Sequence, residues 1–505
     1  MKNIFMWDMT HNYYVDIARK LMEQGGQIKV IGAIKSPEYW PSSLDEFIET
    51  SGARVISWKD FATPERFNKA LDPEFSFLTP NLLTELSYYE KMFLMSTDRL
   101  SFFPVSQIDR CRLFYKMTGH FYKMLKDEKI DAVVFFAIPH GLADIALFGL
   151  AKILRLKVVY VDEVTVSPGL SIIETDIKIL RNYSEPELEL GYNVNKSDFD
   201  AAKQLINSFR NAAELAWNAP KPKNRIKTIL WKTGSLLLRK PFGKYINSAF
   251  FLNSGRRLRV SYILPLIRYF IHTLRAINFY DKHAVNVCED SNFLALFLHM
   301  QPEASTMPQS GIFADQLLVL DLILEALPRG MTVYVKEHPY MFDQFSQDRH
   351  ERSVEFYKYM LRDPRVHFVK KSFSGQELMR KAKYVASSNG SISWETMRGG
   401  NPCIIFGWAW FAPCRSCYVV DSVASLKDAF DVSAKKGSSE VAEDVNKFLD
   451  DFVKRVIFAT PNRTLLGFVG SNFDYDGSVA NLSNAIAIAI DLSSPECLAA
   501  PIASN

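Results

Sequence analysis

Short apolar runs of strand length alternate with longer segments of helical period over most of this chain. Asn3–Trp7, Gln27–Ile34 and Arg54–Trp58 read as strands, the first two flanking a helical segment. Asp131–Ala137 (DAVVFFA) is a continuous apolar run of buried-strand length. A Pro-His-Gly turn, a helical pattern through Leu154 and a further strand at Lys157–Val161 follow it. Such alternation predicts a parallel sheet, because parallel neighbours need a connection long enough to hold a helix. From about Glu174 to Asp281 the pattern turns helical, broken by the turn-rich Ala219–Asn224. A second series starts at Phe293–His299, with helices near Phe313–Leu327 and Arg352–Leu361 and strands at Met331–Lys336, Val366–Val369, Tyr384–Ser387 and Cys403–Phe406. After Val423 the pattern is mainly helical. The expected fold class is α/β with two Rossmann-like domains, 1–175 and 286–425, a helical basic middle segment at 176–285 and a helical tail at 426–505 packing back on the domains. With 505 residues the chain is long enough for two cores.

The net charge of +4 is small but unevenly placed. Between Lys221 and Lys282 there are fourteen lysines and arginines against one acid, Asp281. WKTGSLLLRKPFGKY and RRLRVSYILPLIRYFIHTLR interleave these cations with aromatic and aliphatic residues, as helices lying on a membrane surface do. A solvated face on helices between the domains would read the same way. No nucleic-acid-binding module accompanies the charge, so no nucleic acid partner is expected. The six cysteines are scattered, which suits a reducing compartment, and the C-x-x-C of Cys414 and Cys417 lacks a second ligand pair for zinc. These two are expected to be free thiols. The first sixteen residues are polar where a signal peptide needs an apolar core, and no run is apolar enough to span a membrane. The expected location is cytoplasmic, with peripheral contact through 221–282 at the inner face of the membrane.

Three stretches carry candidate chemistry. In VYVKEHPYM an apolar strand delivers Lys336, Glu337 and His338 at its carboxyl end, where Pro339 stops regular pairing. A lysine and a histidine there suit phosphate oxygens, and a satisfied surface turn would look the same. In ASSNGSISWETMRGGNPCIIFG a strand ends in Ser387, Ser388, Asn389 and Gly390, and a helix opens near Ser391. Main-chain N–H groups and the helix dipole receive a phosphate in that geometry, and Glu395 one turn later reaches for a ribose; an ordinary capped junction is the alternative. In LHMQPEASTMPQSGIFADQ a strand runs into a loop bearing Gln301, Glu303, Ser305 and Thr306, where a carboxylate serves as base or stabilises cationic charge on a sugar, or is simply a solvated loop charge. On the first domain His11, His140, Asp144, Asp162 and Glu163 follow or end strands and would face the same cleft, although a lone histidine is more often structural.

Taken in order, PEAST, the KEHP strand end and the S-x-G-S-x-x-x-E…G-G-x-P element resemble the capsular polysaccharide biosynthesis protein family. The resemblance covers about Leu298–Phe411, with a weaker echo in FFAIPHGLADIALFGLAKILRLKVVYVDE. That family looks like two-domain GT-B glycosyltransferases and includes retaining transferases that move Kdo from its CMP-activated form. It implies a surface-polysaccharide glycosyltransferase, retaining and independent of metal, with a CMP-linked sugar as donor, no bound cofactor, and a glycan or lipid-linked saccharide as acceptor. It implies phosphate contacts from Lys336 and His338, nucleotide contacts from Ser305, Thr306, Glu337, Ser388, Asn389, Gly390 and Ser391, and Glu395 on the ribose. His11, His140, Asp144 and Glu163 would be acceptor-side residues. Gln301, Glu303 and Ser305 look like the counterpart of a Q-x-x-G-D-x-S element that supplies a catalytic acid, with Glu in place of Asp and Pro302 altering the approach. Glu303 and His338 are then the expected catalytic residues. A teichoic-acid-type polyol-phosphate transferase, a sugar-nucleotide 2-epimerase and a non-catalytic export scaffold are the rival classes.

Overall fold

The computed structural model describes residues 1–33, 40–57, 76–99, 106–164, 169–177, 200–204, 206, 263–288, 292–301, 306–339, 341, 352–459 and 474–492. Glu303 and Ser305 lie outside the described residues, as does most of the basic segment. The chain opens with β1 (Lys2–Trp7), α1 (Asn12–Glu23), β2 (Gly26–Ala33), α2 (Leu44–Ser51) and β3 (Arg54–Ser57). Helices α3 (Pro80–Glu85), α4 (Ser87–Arg99) and α5 (Gln107–Asp127) come next, and then β4 (Ala132–Phe135), α6 (Leu142–Ile153), β5 (Lys157–Glu163) and β6 (Leu170–Glu174). A long helix, α7 (Ile263–His283), leads through β7 (Ala284–Val285) into β8 (Phe293–Phe297), α8 (Gln316–Ala326), β9 (Thr332–Lys336), α9 (Val354–Met360), β10 (Val366–Val369) and α10 (Gly375–Lys381). After these come β11 (Tyr384–Ser387), α11 (Ser391–Arg398), β12 (Cys403–Ile405), β13 (Cys417–Val419), α12 (Val423–Ser433), α13 (Ser438–Phe452), β14 (Ile457–Phe458) and α14 (Tyr475–Ala489).

The strands form two seven-stranded sheets, in the orders β14-β6-β5-β4-β1-β2-β3 and β13-β12-β11-β8-β9-β10-β7. The second is parallel throughout, and its β8-to-β13 part has the doubly wound order in which the chain reverses direction between β8 and β11. The first sheet has the matching reversal between β1 and β4. It is not wholly parallel, as the alternation implied: β6 runs antiparallel to β5, and β14 antiparallel to β6. Leu170–Glu174 was expected to precede a helical stretch and Ile457–Phe458 to lie in a helical tail. Both are short apolar runs whose length decides nothing between helix and strand.

Burial explains why these runs are strands. Phe5, Met6, Trp7, Val133, Val134 and Phe135 are all buried, as central parallel strands covered on both faces must be. Helix α6 is buried at every position from Leu142 to Ala151, so its apolar residues surround the axis rather than forming a stripe. Helix α14 packs along α1: Tyr13 Oη and Ser478 Oγ share a hydrogen bond of 2.6 Å, and Tyr475 Oη donates to Asp16. A mixed core joins the domains, with Val164, Leu170 and Ile172 of the first packed with Trp394, Ile405, Trp408 and Phe411 of the second. Within it Glu174 and Arg455 form a buried ion pair at 3.1 Å. Cys414 and Cys417 are free buried thiols, Cys417 beginning β13 opposite Cys403, and burial pushes the Cys414 thiol up to about 11. Among the described residues no helix is long and apolar enough to cross a membrane. Helix α7 buries Ala276, Ile277 and Tyr280 and exposes Arg268, Ile271, His272 and Arg275.

Candidate functional site

In doubly wound sheets a ligand sits outside the carboxyl ends of the strands where the order reverses, because neighbouring connections depart to opposite faces and leave a crevice. In the second domain those strands are β8 and β11. β8 is followed by His299, which is half-buried, and β11 by Ser388, Asn389 and Gly390. The Asn389 N–H donates to His299 Nε2 at 3.3 Å, which leaves Nδ1 to carry the proton of the neutral ring. Gln316 brackets the same histidine, accepting from its N–H at 2.9 Å and donating to its carbonyl at 3.2 Å. A Cβ on Gly390 would lie 2.9 Å from His299 Nε2, so only glycine lets the imidazole seat here. No side chain caps α11, whose N-cap is Gly390. Ser387 Oγ instead accepts from the Gly390 N–H at 3.1 Å and pairs with Ser393 Oγ at 2.9 Å, fixing the turn from beneath.

The remaining residues of this junction divide between structure and surface. Ser388 is buried, and its carbonyl accepts from the Phe406 N–H at 2.9 Å. The Asn389 carboxamide donates to the Trp408 carbonyl at 3.1 Å, tying the junction to the loop after β12. Ser391 is exposed at the first turn of α11, and Glu395 one turn on is half-buried and accepts a short hydrogen bond from Gln376 of α10. With the Asn389 and Gly390 N–H groups already donated to His299 and Ser387, the junction offers the first-turn N–H groups and the positive end of α11 rather than a set of free side chains.

At the end of β9 the expected clamp has another use. The Lys336 ammonium donates to the carbonyls of Lys370 (2.9 Å), Lys371 (3.2 Å) and Phe373 (2.9 Å). Its three donors hold the β10–α10 loop, which corrects the reading of Lys336 as a phosphate contact. Glu337 is also internal: Arg352 Nε donates to its Oε2 at 2.7 Å and Tyr357 Oη to the same oxygen at 2.8 Å, while the His338 N–H donates to Oε1 at 2.9 Å. Both members of the Glu337–Arg352 pair are buried, and Arg352 continues to the His299 carbonyl at 2.8 Å. Glu337 is thus a brace and not a nucleotide contact, and Arg352 is a residue the sequence reading missed. His338 is half-buried, two residues after the end of β9. Thr306 is buried and its hydroxyl accepts at 2.9 Å from Gln301, so it is engaged inside the protein instead of facing a ligand.

The reversal point of the first sheet lies between β1 and β4. Asp144 is buried here, accepting from Trp7 Nε1 at 2.6 Å and the Gly141 N–H at 2.8 Å, which makes it a tie across β1 and the start of α6 rather than an acceptor contact. His11 caps α1 by accepting from the Tyr13 N–H at 3.2 Å, and His140 Nδ1 lies 2.7 Å from the Ile138 carbonyl, to which it donates. Both rings are oriented by the main chain. Asp162 and Glu163 lie inside β5 and pair with β6. The group no motif pointed to is Asp8. It directly follows β1, is half-buried and has φ of +66°, a left-handed conformation uncommon for a residue with a side chain. Burial, and then the nearby Asp144 carboxylate, push its pKa up to about 7. Burial and Glu174 do the same for Asp162, also to about 7. Among the described residues no group of three His, Cys, Asp or Glu side chains is placed to hold a metal ion.

No family model and no curated relative matches the chain. Among solved structures it is similar to the UDP-GlcNAc 2-epimerase of Methanocaldococcus jannaschii, at 11% identity over 89% of this chain and 99% of that one, with a TM-score of 0.23. It is also similar to KpsC of Thermosulfurimonas dismutans, a β-Kdo 2,4 transferase, at 12% identity over 68% and 88% with a TM-score of 0.32. S. aureus MnaA, solved with UDP, matches at 11% over 98% of each chain with a TM-score of 0.22. Scores this low carry no argument about this chain, whose two-domain α/β architecture rests on its own sheets.

Proposed function

We propose that this protein is a GT-B glycosyltransferase of surface-polysaccharide biosynthesis that binds a CMP-linked sugar, of the Kdo or a related ulosonate type, at the β8–β11 reversal point. The observation that carries the reading is the junction at Asn389–Ser391: an N-terminus without a side-chain cap, opening a helix at the reversal point beneath His299. A phosphate there meets the first-turn N–H groups of α11, the exposed Ser391 and the His338 imidazole, while Glu395 receives the ribose. The leaving nucleotide carries one phosphate, which these groups stabilise without a metal. Glu303 is the proposed carboxylate at the sugar, in a reaction that retains the anomeric configuration. The acceptor hydroxyl forms the new bond to the anomeric carbon on the same face from which the phosphate departs as the sugar–phosphate bond breaks, so the configuration is kept. Its proton goes to Asp8, whose raised pKa makes it a usable base near neutrality.

A thermal-shift panel of CMP, UDP and GDP tests this reading. CMP is expected to stabilise the wild type and Glu303→Gln, and to lose its effect in His299→Ala; Glu303→Gln is expected to abolish transfer. Absence of a shift with every nucleotide overturns the assignment. A phosphodiester product, or an altered free nucleotide sugar, points instead to the polyol-phosphate transferase or the epimerase.

Contact with an anionic membrane is proposed for the exposed face of α7, where Arg268 and Arg275 accompany Ile271. Flotation with phosphatidylglycerol vesicles is expected to fall severalfold in Arg268→Glu/Arg275→Glu. An unchanged bound fraction would remove that face from the proposal.

A further inference from the structure

A cavity of about 430 Å³ lies between the domains, away from the charged motifs. Its first-domain wall comes from α4, through Met92, Met95 and Ser96, and from Ile145 at the start of α6. The facing wall is the segment from Met307 to Phe313, which carries two short helical turns, Thr306–Gln309 and Gly311–Ala314. Lys91 and Asp421, both exposed, stand at its rim. The size falls within the roughly 300–1,000 Å³ of small-molecule sites. Three methionines, two isoleucines and a phenylalanine are among its lining residues, and methionine adapts readily to an apolar guest.

Two further observations say what kind of guest fits. Ile312 is 56% exposed beside the cavity, an open apolar surface continuous with it. Lys91 and Asp421 bring an exposed cation and an exposed carboxylate to the edge of this apolar lining. A purely hydrocarbon occupant leaves those groups unused, whereas an alkyl chain joined to a sugar carries hydroxyls that can meet them. The facing wall is continuous with the nucleotide junction: the Trp408 N–H donates to the Gln309 carbonyl at 2.9 Å, and the Trp408 carbonyl holds Asn389. Gly407 lies against Ser310, where a Cβ would come within 2.3 Å of the hydroxyl. The wall is therefore keyed to the loop that supports Asn389.

We infer that this cavity is the subsite for the alkyl portion of an amphiphilic glycoside acceptor, an assignment that rests on the glycosyl-transfer reading above. The chain lies between α4 and Met307–Phe313, and the sugar end projects along the shared wall toward the reversal points of the two sheets.

Titration calorimetry with n-octyl β-glucoside below its micelle concentration, and with methyl β-glucoside, tests the inference without requiring turnover. One octyl glucoside is expected to bind per chain, roughly 100-fold tighter than the methyl glycoside because several methylenes are buried. Ile312→Asp changes an exposed position and so spares the core, and Met95→Trp fills the cavity. Each is expected to weaken octyl glucoside about tenfold or more while leaving the CMP-induced thermal shift intact. Equal binding of the two glycosides, or octyl binding indifferent to both variants, would overturn the inference. A concentration-dependent dimer dissolved by Ile312→Asp would also overturn it, by giving this face to a second copy. If octyl glucoside binds as expected but no nucleotide shifts stability, the cavity stands as an amphiphile site and the transfer reading alone falls.

Discussion

The ends of β9 and β11 flank β8 on opposite sides in one sheet, yet they use their residues in opposite ways. β9 ends in Lys-Glu-His, a motif dense in charge, but its lysine is held by three carbonyls and its glutamate by Arg352 and Tyr357. β11 ends in Ser-Ser-Asn-Gly, with no charge, and presents main chain and a helix N-terminus under a histidine. Charge in a motif is therefore a poor guide to availability. A buried ion is retained only where neighbours compensate it, and the neighbours that do so use up its capacity for a ligand.

The sharpest way to break this comparison is to remove the brace. Glu337→Ala is expected to destabilise the fold by about 3–5 kcal/mol, the range for leaving a buried partner charge uncompensated. Lys336→Met, which abandons three carbonyls, is expected to cost roughly 2–3 kcal/mol. Urea denaturation measures both, and a Lys336→Met protein that remains folded yet loses CMP binding would return Lys336 to the site. Gly390→Ala is the complementary change at β11. The new methyl meets His299 at 2.9 Å, so about tenfold weaker CMP binding is expected with roughly 1 kcal/mol of stability lost. Equal affinity in the variant would show that the imidazole has no part in the junction.

A further effect, visible only as a dependence on pH, concerns Asp8. Its native pKa of about 7 lies above the ordinary value of 3.8, so the native state binds its proton more tightly than the unfolded chain does. Its contribution to stability therefore falls as pH rises from about 4 to about 7 and is level above. Asp8→Asn removes that loss. After allowance for partial exposure, its benefit is expected to be about 1–2 kcal/mol larger at about pH 8 than at about pH 5. Thermal unfolding at the two pH values checks this, and a difference of the opposite sign would mean that Asp8 is ionised and stabilised in the native state.

Much of the scaffold was legible because buried strands carry their own signature. Val366–Val369 and Tyr384–Ser387 have the bounds their apolar runs imply, and α11 begins at Ser391 where the small polar residues end. The antiparallel strands β6 and β14 were not legible, since β14 pairs residues 457–458 with 170–171 and no local pattern records a partner so distant. The same limit governs the site. Lys336 and Glu337 stand out as residue types, but what consumes them lies at 352, 357 and 370–373. His299 hides as the last residue of an apolar run, and Asp8 is a lone acid whose left-handed backbone leaves no trace in composition.

The packing of α14 on α1 bears on how the protein is made. Residues 475–489 cover a face of the domain that residues 2–33 begin, and β14 completes the edge of its sheet. A ribosome delivers residues 2–33 long before residues 457–489. The first domain must wait, with Tyr13 and Ile17 on its uncovered helix, while the whole second domain emerges and closes its own contiguous sheet. Order of synthesis and order of completion are thus reversed, and the first domain, once emerged, needs protection from premature contacts longer than the second does.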